Sequence, residues 1–183
     1  MSLDQKIYEI AVNNGFKPKA ARLIVAQARL ESSHYKSSVF KNNNNMYGMK
    51  FVGQPLAKKG TLVPAAERSV NDISTNYYAK YATPEDSARD VVERLYEKVV
   101  SDITPEQLKE AESPETFAEL LKKRGYFGIA AEKYAKSLKG ILPKLSIKET
   151  GVINDGIKTK DILEVVFTFG FLGAAYYLVK RYA

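Results

Sequence analysis

Apolar residues recur at helical spacing along most of this chain, and Gly, Pro and Asn mark the breaks between them. Leu3, Ile7, Ile10 and Ala11 share one face, and Asn13-Asn14-Gly15 stops that first predicted helix. Pro18 sits where a first helical turn accepts it, and residues 20–32 read as a second helix. Asn42-Asn43-Asn44-Asn45 reads as a turn-rich loop. Between residues 52 and 74, Gly53, Pro55, Gly60 and Pro64 punctuate short β-prone pieces such as Thr61-Leu62-Val63, which predicts a small hairpin or extended lobe. Helix returns at Thr83-Pro84-Glu85-Asp86, with Thr83 as N-cap, and Val91, Val92, Leu95, Val99 and Val100 carry its apolar face. Thr104-Pro105-Glu106 and Ser113-Pro114-Glu115 repeat that start signal, the second opening a helix to Lys123. Gly125-Tyr126-Phe127-Gly128 breaks the pattern, and residues 130–142 are helical again. The fold class expected is α+β, mostly α, with a minor β insert after the second helix.

Past this domain (residues 1–145) the pattern changes. Residues 146–160 form a polar linker, and residues 161–183 carry an anchor with a short basic tail. Residues 162–179 contain one charge, Glu164, and as a helix would span roughly 27 Å, close to the hydrocarbon thickness of a bilayer. Lys158, Lys160, Lys180 and Arg181 flank the stretch, and Tyr176 and Tyr177 suit an interface. A single C-terminal transmembrane helix is expected; the competing reading, a buried terminal helix, fits a segment apolar all round less well. Gly170 and Ala174 are spaced for close helix pairing, which permits an oligomer through this helix.

Composition narrows the chemistry. The 183 residues hold no cysteine and one histidine, His34, so thiolate metal sites, cysteine nucleophiles and histidine-rich metal centres are excluded, and no cofactor is expected. Acid–base work must fall to carboxylates, tyrosines or lysines. The net charge of +7 favours a polyanionic partner, but the basic residues are scattered and no nucleic-acid motif is present, so no specific nucleic acid is expected.

One carboxylate stands out. Ile24, Gln27, Ala28 and Glu31 share a face of the second helix, so Glu31 projects along an apolar surface near the helix C-terminus. Desolvation and the helix dipole both raise its pKa there, which suits a general acid. Periodicity alone favours a plainer reading, an end-of-helix glutamate that curls into water.

The surrounding words weigh against that plainer reading. Ala26-Gln27-Ala28-Arg29-Leu30-Glu31-Ser32-Ser33-His34-Tyr35, then Phe40, then Asn44-Asn45-Met46-Tyr47-Gly48-Met49-Lys50, resemble the bacterial glucosaminidase family of wall hydrolases, of autolysin and flagellar-muramidase type. Tyr78-Ala79-Lys80-Tyr81 with Glu85 to Asp90, and Lys123-Arg124-Gly125-Tyr126-Phe127 with Tyr134-Ala135-Lys136, look like two later family segments. The resemblance runs over about residues 3–142. It implies a lysozyme-like α+β fold and cleavage of a β-1,4 bond after N-acetylglucosamine in the peptidoglycan glycan strand. The chain departs from the family pattern at Ser33, where glycine is usual, at Val91, where tyrosine is common, and at Gly128-Ile129-Ala130.

By resemblance, Glu31 protonates the glycosidic oxygen. Glu67, with Asp72 in reserve, matches the second acid by offset from Tyr78 and Tyr81; an exposed loop carboxylate is an equally good reading of it. The substrate's own acetamido group could instead replace any second acid. Tyr126 resembles the tyrosine that faces the scissile sugar. Asn45, Tyr47 and Gly48 would line the glycan groove, with Gln27, Tyr81 and Tyr134 as further sugar-binding candidates, while His34 is expected on the groove wall or the surface. Two other classes compete: a catalytically inactive glycan-binding or virion structural protein, and a membrane-bound protein whose basic face meets nucleic acid or lipid headgroups. The amino-terminal stretch lacks a cleavable-signal pattern. A membrane-associated location is expected, in a membrane-containing phage virion or at the bacterial inner membrane with the domain facing the wall.

Overall fold

The computed structural model describes residues 1–68 and 76–148. Helix α1 (Leu3–Asn13) starts on Ser2, whose hydroxyl accepts from the Gln5 N–H at 3.2 Å. It ends as the sequence predicts, with Gly15 at φ +84 just beyond. Helix α2 (Pro18–Glu31) is the spine of the domain. Ala20, Ala21, Leu23, Ile24, Val25, Ala26, Gln27 and Ala28 are all buried, and its alanines let α1, α6 (Pro114–Lys123) and α7 (Ala131–Ile141) approach closely. Each large apolar side chain buried here contributes about 1.5–3 kcal/mol. Helix α6 keeps the boundaries its Ser113 cap and Pro114 signal predict, and packs along α7.

The polar lobe is built by three asparagines at the end of α3 (Ser38–Asn43). Strands β1 (Ala57–Leu62) and β2 (Tyr77–Tyr81) pair antiparallel, with a bulge between Lys59 and Leu62. Asn43 holds Thr61 of β1 through two hydrogen bonds of 2.8 and 3.0 Å. Asn44, itself left-handed at φ 51, donates to the Tyr81 and Ala82 carbonyls. Asn45 donates to the Met49 and Ala79 carbonyls and accepts from the Met49 N–H. A methyl group on Gly60 would sit 2.3 Å from the Asn43 Oδ1 atom, so this approach requires glycine. The run that reads as a simple turn in sequence therefore staples the hairpin to the helical domain.

One predicted helix comes out shorter. Helix α4 (Pro84–Arg89) has the Thr83 cap and a reciprocal capping box with Asp86, then widens into a π-helical stretch over Asp90–Leu95. Asp90 is buried, accepting from the Tyr81 hydroxyl at 2.7 Å and pairing with Arg94. The chain turns after Leu95, leaving Val99 exposed and bridging Val100 to Ile103 instead of extending an apolar face. Helix α5 (Pro105–Lys109) is a single capped turn.

Residues Met1–Ile147 form one compact unit. The expected membrane span over residues 162–179, most of the linker, and Asp72 lie outside the described residues. Among the described residues no helix is long and apolar enough to cross a membrane.

Candidate active site

Helix α2 ends on Glu31, and the chain beyond it turns the wrong way for L-residues. Ser33, His34 and Tyr35 have φ of 50, 57 and 65, a left-handed turn with no glycine in it. Ser32 anchors the turn, its hydroxyl donating to the Ala28 carbonyl and accepting the Tyr35 N–H. The Tyr35 hydroxyl donates to Asp4 at 2.8 Å, and Asp4 also receives two hydrogen bonds from Arg29 and the Ser146 N–H. Burial pushes the Asp4 carboxyl up, but these donors outweigh it and hold its pKa below the usual value. Asp4 thus clamps both sides of the turn that follows Glu31.

Glu31 opens into a cleft of about 460 Å³, with Tyr47, Gly48, Met49, Lys50, Arg124 and Tyr126 among its lining. The Tyr134 hydroxyl, from α7, donates to Glu31 Oε1 at 2.7 Å. Phe127 stacks on the Tyr134 ring at 4.1 Å and 17°, which fixes the ring. Burial raises the Glu31 pKa, and the Tyr134 hydrogen bond lowers it without cancelling that effect. Burial also pushes the hydroxyls of Tyr47, Tyr96, Tyr126 and Tyr134 far above their ordinary value, so all four stay neutral, and of these Tyr134 donates to the carboxyl.

Two further devices shape the walls. Gly125, at φ +71, closes α6 with paired hydrogen bonds from Gly125 N–H to Lys122 and from Tyr126 N–H to Leu121. That cap delivers Tyr126 and Phe127 to the cleft, with the Tyr126 hydroxyl 3.4 Å from the Tyr47 carbonyl. Arg124 donates to the carbonyls of Leu95, Lys98 and Ile103, binding the opposite wall into place.

The sequence candidates are distributed as follows. Glu31, Tyr47, Gly48 and Tyr126 line the cleft. Gln27 is fully buried behind it, accepting from the Tyr96 hydroxyl at 2.5 Å. The Gln27 amide also lowers the Tyr134 pKa, although its Nε2 atom makes no hydrogen bond of good geometry. Along with the Tyr47 hydroxyl, that Nε2 is a buried polar atom without a well-formed hydrogen bond among the described residues. Asn45 and Tyr81 are about 1% exposed with their polar atoms engaged inside the fold, so they brace the groove from behind rather than present themselves to a sugar. Tyr134, 3% exposed, meets the ligand space through Glu31. Glu67 is exposed and outside the cleft lining; its backbone carbonyl accepts from the lining residue Lys50 at 3.1 Å, and its charge helps raise the Tyr78 pKa. His34 is exposed on the left-handed turn. Lys50, Tyr96, Arg124 and Phe127 join the site without having been singled out by the sequence. Lys50 had a signal in the Asn44 to Lys50 segment; Tyr96 had none. Among the described residues no cluster of three or more metal-ligating acids or histidines is present.

A half-buried carboxyl whose pKa burial raises, set in the wall of a cleft, has the chemistry of a proton donor, which is what a glycosidase needs to release a leaving oxygen. The family model described as mannosyl-glycoprotein endo-beta-N-acetylglucosaminidase matches residues 7–147, and the chain belongs to this glucosaminidase family; its class is that of a glycosidase. Solved structures share its mostly helical, lysozyme-like fold. A peptidoglycan hydrolase from Sphingomonas sp. A1 is 19% identical with a TM-score of 0.56, the alignment covering 80% of this chain and 93% of that one. A type VI secretion system effector-immunity complex from Pseudomonas protegens gives 16% identity and 0.51 over 76% and 86%. The catalytic domain of the autolysin Auto from Listeria monocytogenes gives 19% and 0.50 over 76% and 78%. No curated protein sequence matches the chain.

Proposed function

We propose that this chain hydrolyses β-1,4 bonds of peptidoglycan on the reducing side of N-acetylglucosamine, with Glu31 as general acid. The observation that carries the reading is the Glu31 carboxyl itself, raised in pKa by burial, oriented by Tyr134 and open to the cleft. Among the described residues lining that cleft, Glu31 is the one carboxylate. This favours the substrate's acetamido group over Glu67 as the partner in catalysis. The leaving oxygen takes the Glu31 proton as the acetamido oxygen closes on the anomeric carbon. Water then opens that ring and returns a proton to Glu31, while Tyr126 stands where it can hold the acetamido group.

Two measurements on purified peptidoglycan test this. Mass spectrometry of the fragments should show reducing N-acetylglucosamine ends; reducing muramic or anhydro-muramic ends would overturn the bond assignment. NMR of the first-formed anomer should show retention, and Glu67→Gln should turn over at the parent rate. Inversion, together with a crippled Glu67→Gln, would restore Glu67 as the base.

The apolar stretch 162–179 supports a second element of the reading, a membrane tether that presents the domain to the wall. Carbonate extraction of membranes from expressing cells should leave the full chain in the pellet, and release into the supernatant would refute the tether.

A further inference from the structure

The β hairpin carries charge that its own folding opposes. Strands β1 and β2 contain three lysines and no acid, and the register sets Lys58 directly opposite Lys80. Like charges directly opposite each other destabilise a hairpin. Both side chains are exposed, and neither has an ion-pair partner among the described residues. Cross-strand partners and alternate residues share a face, so Lys58, Lys80 and Tyr78 stand on one side of the sheet. Lys50 joins them, because it bridges to Tyr78 in antiparallel pairing. Lys50 also lines the cleft. The basic face and the catalytic cleft therefore meet at one residue. The acid beside them, Glu67, lies near the Tyr78 hydroxyl, and its carbonyl is held by Lys50.

We infer that the Lys50, Lys58 and Lys80 face is a subsite for the carboxylates of the stem peptides on the glycan strand held in the cleft. This rests on the peptidoglycan reading above and adds what that reading lacks, a preference for glycan that still bears its peptides. Free stem carboxylates complement the lysines in charge, and a strand leaving the cleft over Lys50 lays its peptide on the face. Exposed charges of this kind act mainly on binding.

The test uses the full chain in an inactive Glu31→Gln background, so that binding is read without turnover. Cosedimentation is measured with intact wall, with wall stripped of stems by an amidase, and with wall freed of phosphate polymers by hydrofluoric acid. The K58E/K80E pair should bind intact and phosphate-free wall about tenfold more weakly than its parent, and stripped wall equally. Lys58→Glu alone should melt at or above the parent temperature, since it replaces repulsion across the hairpin with attraction. Equal binding by parent and pair on intact wall, or an equal loss on stripped wall, would overturn the subsite. So would a loss that disappears once phosphate polymers are removed, because the partner would then be a phosphodiester chain. Failure of the Glu31-intact chain to cleave any of these walls would instead count against the hydrolase reading and leave the binding results to be judged separately.

Discussion

The Tyr134 hydroxyl donates a 2.7 Å hydrogen bond to Glu31 Oε1 across 103 residues of sequence. This contact engages one carboxyl oxygen of a side chain that lines the cleft. Tyr134→Phe keeps the ring on which Phe127 stacks and removes only the donor. Because the bond lowers the Glu31 pKa, its loss raises that pKa further. The alkaline limb of the kcat/KM profile should move to higher pH, and turnover should fall about tenfold from lost orientation. A fall in turnover with an unmoved limb would reduce Tyr134 to packing.

Glu31 costs the fold stability at neutral pH. Its carboxyl titrates higher in the folded chain than the ordinary 4.5, so the folded state holds the proton longer. Stability is therefore lost as pH rises from 4.5 through the folded value. Glu31→Gln should melt at or above the parent temperature at pH 7, and the two should converge near pH 4. A Glu31→Gln protein that melts well below its parent at pH 7 would contradict the burial.

Ser33 is one of the positions at which the chain departs from the pattern it resembles, and its backbone here is left-handed. At φ 50 a side chain is strained and glycine is not. Ser33→Gly should stabilise the protein by about 1 kcal/mol, since left-handed strain of roughly 1–2 kcal/mol outweighs the added freedom of the unfolded chain. In a domain this size that is about 2–4 °C in Tm, read by calorimetry.

The Asp4 clamp has the opposite pH signature to Glu31. Its carboxyl is held below the ordinary 3.8, so its contribution is complete above that pH and is lost as pH falls through the folded value. Asp4→Ala should lower stability by about 3 kcal/mol at pH 7, because Arg29 is left without its partner. The variant should also show a flatter acid limb in denaturant titrations below pH 3.8.

Much of this architecture was legible locally. Ser113-Pro114 and Thr83-Pro84 are capping chemistry readable within four residues, and the helices began where those signals stood. The Glu31 face was legible too, since helical spacing alone aligned it with Gln27 and Ala28. What failed to show were contacts closed over long distances. The pairing of β1 with Tyr77–Tyr81 depends on the asparagine staples of α3, so the hairpin was expected too early in the chain. Val99 and Val100 fitted a helical face, but the Asp90 pairing with Tyr81 and Arg94 sits in a widened turn that ends the helix first. Tyr134 carried a family motif, yet nothing in its neighbourhood of sequence pointed to Glu31. Asn45 was a groove candidate only through the resemblance of its segment; its burial became visible only with the Ala79 carbonyl in place.

The most direct test of the account is the release of reducing ends from purified peptidoglycan by Glu31→Gln, with circular dichroism confirming the fold. Loss of a general acid should lower the rate about 10²–10⁴-fold with an unchanged spectrum. Release at the parent rate by the folded variant would show that another group protonates the leaving sugar.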